Sequence, residues 1–303
     1  MNYPLVVAAS LASTVFFAVS TVLKHHSART LPASRGRSAA RAGHFVASTL
    51  SSRWWLGGMA ADAGGLGLQA YALHIGAVSV VQPLLVTALL TSLLISHLST
   101  RTRVSTQELR WGALLVLAIV GFLAVSGASS PHLRQQAVDR GAAALSAGLA
   151  AVLAVICVVM ARRVPSGPRA ALLATAVGTL YACTAVLIKA ATAILADKGL
   201  WAMLTSWQLL VLLVCGAAGL LLAQLAFRAG PLNTSLPVIA TVDPLLSVAL
   251  GVIVYDEQLR SGPTAVAGQT LLLIALAVAV FKLSRLNAET GNPQASPPPI
   301  ART

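Results

Sequence analysis

The stretch WQLLVLLVCGAAGLLLAQLAFR, residues 207–228, decides the class of this protein. It carries no charge before its last residue and opens on a tryptophan. As a helix rising 1.5 Å per residue it would be about 33 Å long, enough to cross the roughly 30 Å hydrocarbon core of a bilayer. Comparable apolar runs lie at 4–23, 54–74, 78–97, 111–127, 140–160, 170–195, 232–255 and 264–283. Trp54, Trp55, Trp111, Trp207 and Tyr255 fall at run ends, where amphipathic rings prefer the interface. The composition agrees. The chain is 57% hydrophobic and 10% charged, against about 25% charged residues in a soluble domain. The expected fold class is therefore all-α, a polytopic transmembrane bundle of about nine helices.

The formal net charge of +13 does not point to nucleic acid. No nucleic-acid-binding motif is present, aromatic residues make up only 5%, and the basic residues sit between the apolar runs. Cys157, Cys183 and Cys215 lie in separate runs without CxxC spacing, which reads as small buried side chains rather than metal or redox chemistry. The first run lacks a cleavage pattern and ends in Lys24-His25-His26, so it reads as a permanent span. Between 24 and 53 lies the longest connection, in which His44 to Ser52 has the character of a short surface helix. The segment 285–303, with Pro293 and Pro297-Pro298-Pro299 after Asn287, reads as a disordered cytoplasmic tail.

Charge sets the orientation. Of the 21 lysines and arginines, the opposite-side connections hold only Arg134, Arg140, Lys198 and Arg260, and Lys189 lies within a run. The others gather around 24–53, 101–110, 162–169, Arg228 and the C-terminal end. Cytoplasmic loops carry the excess, which predicts the N-terminus outside and the C-terminus inside, as an odd number of spans requires.

An internal repeat is the strongest clue to function. Residues 13–24, STVFFAVSTVLK, align with 178–189, GTLYACTAVLIK, at an offset of 165. Residues 68–76, LQAYALHIG, align with 222–230, LAQLAFRAG, at an offset of 154 that also maps Pro83 onto Pro237. Two blocks in the same order suggest a first repeat over about 4–127, a linking helix at about 140–160 and a second repeat over about 170–284, forming one transmembrane domain. Chance likeness between Ala/Leu-rich helices is the alternative. Matching helices lie five spans apart, so the halves would be inverted, an arrangement common in secondary transporters.

The chain resembles the drug/metabolite transporter superfamily, of the EamA-like kind. The resemblance rests on ALHIGA at 72–77 leading into VVQPLL at 80–85, and on AFRAGP at 226–231 leading into Leu236-Pro237, Asp243-Pro244-Leu245, Gly251 and Asp256-Glu257-Gln258-Leu259. It covers most of residues 4–284 and says little of substrate. That superfamily usually has ten helices in two inverted halves, and this chain reads as one short in the first half. The NIPA-type magnesium transporters are similar in that respect, a weaker resemblance that implies magnesium as an alternative cargo.

Ionisable groups inside spans are costly and usually face a cavity or a partner. Asp243 precedes Pro244, which cannot donate a backbone hydrogen bond and so frees the carbonyl of Ala240. An acid beside freed backbone polarity is a candidate proton, cation or substrate site. Asp62, among Gly57, Gly58, Gly64 and Gly65, reads as either functional or a packing hydrogen-bonder. Lys189 is a candidate at the outer mouth, with a snorkelling lysine as the alternative, and Lys24 mirrors it at the inner end of the first run. Gln69, Gln82, Gln224, Thr87 and Thr241 add hydrogen-bonding capacity along a pathway. Pro83, Pro237 and Pro244 are candidate helix kinks or gates. Two polar stripes at helical spacing, Ser10/Thr14/Phe17/Thr21 and Thr175/Thr179, are candidates for a pathway or for interhelical bonding. Asp256-Glu257, at an outer helix end, reads as solvated.

No catalytic constellation, Walker A sequence or metal-ligand spacing is apparent, so neither an enzyme, a cofactor nor a metal centre is expected. The reading is a multi-pass plasma-membrane transporter for a small metabolite or drug-like solute, with the bilayer and that solute as partners. It leaves room for proton or cation coupling and for a homodimer. An integral membrane enzyme acting on lipid and a non-transporting scaffold are the rival classes.

Overall fold

The computed structural model describes residues 3–30, 52–100, 104–127, 140–229 and 232–290. These are helical almost throughout. In chain order the helices are α1 (Tyr3–Thr30), α2 (Arg53–Ile75), α3 (Val78–Leu85), α4 (Thr87–Thr100), α5 (Thr106–Ser126), α6 (Arg140–Ala161), α7 (Ser166–Leu204), α8 (Trp207–Ala229), α9 (Leu232–Tyr255) and α10 (Pro263–Thr290). Among the described residues, eight segments are long and apolar enough to cross a membrane, with α3 and α4 together making one of them. Adding α2, which is 23 residues long but diluted by Asp62, Gln69 and its glycines, gives the nine membrane-length helices expected from the sequence. The chain is a multi-pass membrane protein.

Several boundaries differ from the sequence reading, each for a local reason. The run at 78–97 is two helices. Pro83 withholds an N–H, the Val86 N–H turns back to Leu84 O, and the Thr87 hydroxyl donates to the same carbonyl at 2.7 Å. α5 begins ahead of the run read at 111–127, because Ser105 and Glu108 form a capping box. The Glu108 N–H donates to Ser105 Oγ at 3.2 Å, and the Ser105 N–H donates to Glu108 Oε2 at 2.6 Å. α7 continues past the run at 170–195 to Leu204 but is broken at Gly199, whose φ of 82° suits glycine. α1 extends to Thr30 and α10 to Thr290, so each carries helix into a segment read as loop or tail. The surface helix expected at 44–52 lies outside the described residues except for Ser52, the N-cap of α2, and the tail beyond 290 lies outside them.

α1 packs along α2 and against α3–α4, and α7 packs along α8 and α9. α10 lies against α5 and α9, while α6 rests on α7. The main core, with Val6, Leu73, Val78, Leu115, Val186 and Leu276 all fully or nearly fully buried, ties α1, α2, α3, α5, α7 and α10 together. Lipid tails are as apolar as leucine, so helix association depends on close fit. A Cβ on Gly64 or Gly65 of α2 would stand 2.8 and 2.9 Å from the rings of Phe16 and Phe17 of α1. On α8, a Cβ at Gly219 would stand 2.6 Å from the Tyr181 ring of α7. The outward faces keep Leu117, Leu221 and Leu271 about two-thirds exposed, a surface suited to acyl chains. Cys157, Cys183 and Cys215 are buried and free, as read.

Candidate functional site

A cavity of about 210 Å³ opens among α1, α2, α3–α4 and α9. Asp243 and Pro244 line it from α9, with Ala240 one turn before them. Gln69 contributes from α2 and Phe17 from α1. Gln82, Leu85, Val86 and Leu89 flank the break between α3 and α4. Asp243 stands about 16 Å along α9 from Leu232, near the middle of that helix. Its Oδ1 accepts from Ser247 Oγ at 3.2 Å, one turn onward. The proline that follows removes the hydrogen bond Ala240 O would have accepted, so this wall combines a carboxylate with relieved backbone polarity. Gln82 is 4% exposed, and its Nε2 has no hydrogen-bond partner. A buried amide left unpaired costs about 1–3 kcal/mol, so this one is poised for a partner entering the cavity.

Of the residues anticipated for a pathway, Asp243, Gln69, Gln82 and Pro244 thus meet in one cavity. The others stand elsewhere. Gln224 is exposed on α8. Thr87 and Thr241 spend their hydroxyls on Leu84 O and Pro237 O, each at 2.7 Å. Those bonds lie beside the prolines of α3 and α9. Pro83 and Pro237 are buried next to the cavity-lining segments without lining it themselves. Asp62 is half-buried on α2 outside the lining. The polar stripes mostly turn back on their own helices. Ser10 donates to Val6 O at 2.8 Å and Thr14 to Leu11 O at 2.7 Å. Thr21, Thr175 and Thr179 likewise donate to Phe17 O, Ala171 O and Thr175 O. Only Phe17 of the two stripes lines the cavity. The side chain of Lys24 lies outside the described residues.

Lys189 has a definite partner. Its Nζ lies 2.8 Å from Glu257 Oε1, with side chains 4% and 0% exposed. This corrects the reading of Glu257 as solvated. Asp256 takes a left-handed φ of 46° and is exposed, and the turn it makes carries Glu257 inward. There Glu257 caps α3, whose own N-cap residue, Ala77, offers no side-chain bond. The N–H groups of Val78 and Ser79 donate to its two oxygens at 2.6 and 2.8 Å. A carboxylate is favoured at a helix N-terminus by the unsatisfied N–H groups and the helix dipole. The Tyr255 hydroxyl donates to Val186 O at 2.6 Å, and Lys189 Nζ sits 4.7 Å from the centre of that ring. One ion pair thus fastens α7, the α9–α10 turn and the start of α3, at the end of the bundle where α3 enters. The sequence signal for Glu257 was available only as an acid six residues after Gly251. Ser247 was legible as one helical turn from Asp243.

Gly251 is where this fastening is tightest. A Cβ there would lie 2.6 Å from Glu257 Oε2 and 3.2 Å from Val78 Cβ. Gly251→Ala is expected to destabilise the protein by about 1–3 kcal/mol through overpacking, read as a lower melting temperature in detergent. Gly216→Ala is the control, because a Cβ there meets nothing within 4 Å. It should be neutral or stabilising, and equal effects at the two positions would contradict the packing described.

The chain matches no known family profile, and no solved structure matches it. It is similar to a protein of Corynebacterium glutamicum described as uncharacterized, with 28% identity over 276 residues, 91% of this chain and 93% of that one.

Proposed function

We propose that this multi-pass protein is a secondary transporter in the plasma membrane. It moves a small metabolite or drug-like solute by alternating access, and the Asp243 cavity is its binding site. The observation that carries the reading is the meeting of Asp243, Gln69 and the unpartnered Gln82 beside a broken helix and a proline. Discontinuous helices around a polar site near mid-membrane are the working parts of many transporters.

The two-half reading draws support from packing. Phe16 and Tyr181 are equivalent under the offset of 165, and each stands on a glycine of the following helix. The α1–α2 and α7–α8 contacts are thus alike in kind, a ring on a glycine, although the offset of 154 pairs Gly219 with Gly65, one residue along from the Gly64 that meets Phe16. Inversion is also what the EamA-like resemblance implies, while an outside N-terminus rests on the odd span count and the basic loops. With the buried native cysteines as background, cysteines at positions 37 and 130 should label from opposite sides. Labelling of both from one side would overturn the topology.

Solute flux into liposomes containing purified protein tests the function directly. The screen runs over small polar solutes, with a magnesium arm because magnesium sites commonly use one or two carboxylates with retained water. Absence of flux for every class would reject the transporter reading. Gln82→Met is expected to leave stability unchanged or up to about 1 kcal/mol higher, by removing an unpaired buried amide. It should also weaken transport of the solute identified. Unaltered flux in that variant would remove Gln82 from the site.

A further inference from the structure

A second cavity, of about 610 Å³, lies between α5 and α10, at the end of the bundle opposite Glu257. Arg110, Lys282 and Arg285 line it, and no lining residue is acidic. Trp111 forms one wall, with Lys282 Nζ 5.9 Å from the centre of its ring, and Leu114 and Leu286 supply apolar surface. Glu108, an acid of α5 beside the cleft, is 3% exposed and turned onto Ser105 and onto His97 Nε2, 3.3 Å away. Its charge is thus engaged outside the cleft.

Depth gives the cleft its meaning. Lys282 lies about 28 Å along α10 from Pro263, close to the roughly 30 Å of a hydrocarbon core. Arg110 lies about 6 Å from the start of α5. The three cations therefore sit at headgroup level, with a tryptophan where interfacial rings prefer to be. This is also the end that gathers most of the basic connections. A basic rim above apolar side chains matches a phosphate with an acyl chain below it, and basic pockets between membrane helices are suited to anionic headgroups.

We propose that the α5–α10 cleft binds a phosphate group, that of an anionic phospholipid headgroup. Arg110 and Lys282 neutralise the phosphate within the positive rim that Arg285 extends, and Leu114 and Leu286 meet the upper acyl chain. The test is native mass spectrometry of the intact, delipidated protein offered phosphatidylglycerol or phosphatidylcholine. Wild type should retain phosphatidylglycerol in preference. R110Q/K282Q/R285Q should lose at least about tenfold of that retention, since each cation near an anionic surface contributes about 1 kcal/mol. R162Q/R163Q removes two exposed cations from another connection and should retain it. Lys282→Gln alone should give a smaller loss and keeps the test decisive if the triple variant fails to fold. Equal retention of phosphatidylcholine, unchanged retention in the cleft variants, or equal loss in R162Q/R163Q would overturn the proposal. An excess of inorganic phosphate separates the sources. It should leave the lipid bound, and displacement of lipid by phosphate alone would reassign the cleft to a soluble phosphate compound.

Discussion

Glu257→Ala is expected to cost the folded protein about 3–5 kcal/mol, because it leaves a buried ammonium without its counter-ion. The pair that is lost has side chains 4% and 0% exposed, so solvent screens it little. The same substitution strips the Val78 and Ser79 N–H groups of their acceptors. Lys189→Ala should be damaging for the mirrored reason, although Glu257 would keep its two backbone donors. Lys189→Met combined with Glu257→Gln should recover much of the loss. Removing both charges also removes both desolvation penalties, and a glutamine can still accept from α3. Thermal or denaturant unfolding in detergent, arranged as a double-mutant cycle, measures this. Additive losses in the cycle would mean that the two residues act independently, contrary to the 2.8 Å contact. Under the transporter reading the pair also has a functional prediction. It holds one end of the bundle shut, so charge-free variants should change the partition between states as well as stability.

Asp243→Asn is the substitution expected to separate transport from folding. Asparagine keeps the volume and the oxygen that accepts from Ser247 at 3.2 Å, so membrane insertion and melting should be close to wild type. A hydrogen bond to a charged group is worth about 1.5–3 kcal/mol, which corresponds to a roughly tenfold to hundredfold loss in binding or transport. If Asp243 carries the coupling proton, the pH dependence of flux should vanish as well. Flux measured across a range of external pH in liposomes decides between these outcomes. Wild-type rate and wild-type pH dependence in Asp243→Asn would make the residue structural and sink the proposed site. That result would leave the phosphate cleft between α5 and α10 untouched, since it shares no lining residue with the cavity.

Much of this architecture was legible in the linear sequence. A segment such as 207–228 can satisfy its backbone in a bilayer only as a helix, so length and polarity alone locate the spans. Pro83 and Pro244 stood out as kink candidates because a missing N–H is a local property, although only the run at Pro83 is broken and α9 continues through Pro244. Asp243 stood out because a lone acid in an apolar run needs a reason. Which polar residues would meet was not legible. Gln69, Gln82 and Gln224 look alike along the chain, yet two line the cavity and one is exposed on α8. That choice depends on the rotation of each helix about its axis, which is set by contacts such as Phe17 on Gly65. The fate of Glu257 shows the limit most plainly. It follows a helix end and sits beside an exposed aspartate, so by position alone it reads as solvated. Only the assembled bundle brings the start of α3 and Lys189 of α7 to that turn. The sequence by itself determined what each segment must be, because backbone satisfaction in lipid is local. The tertiary structure alone decided which charges are buried together, because that follows from long-range packing between helices far apart in the chain.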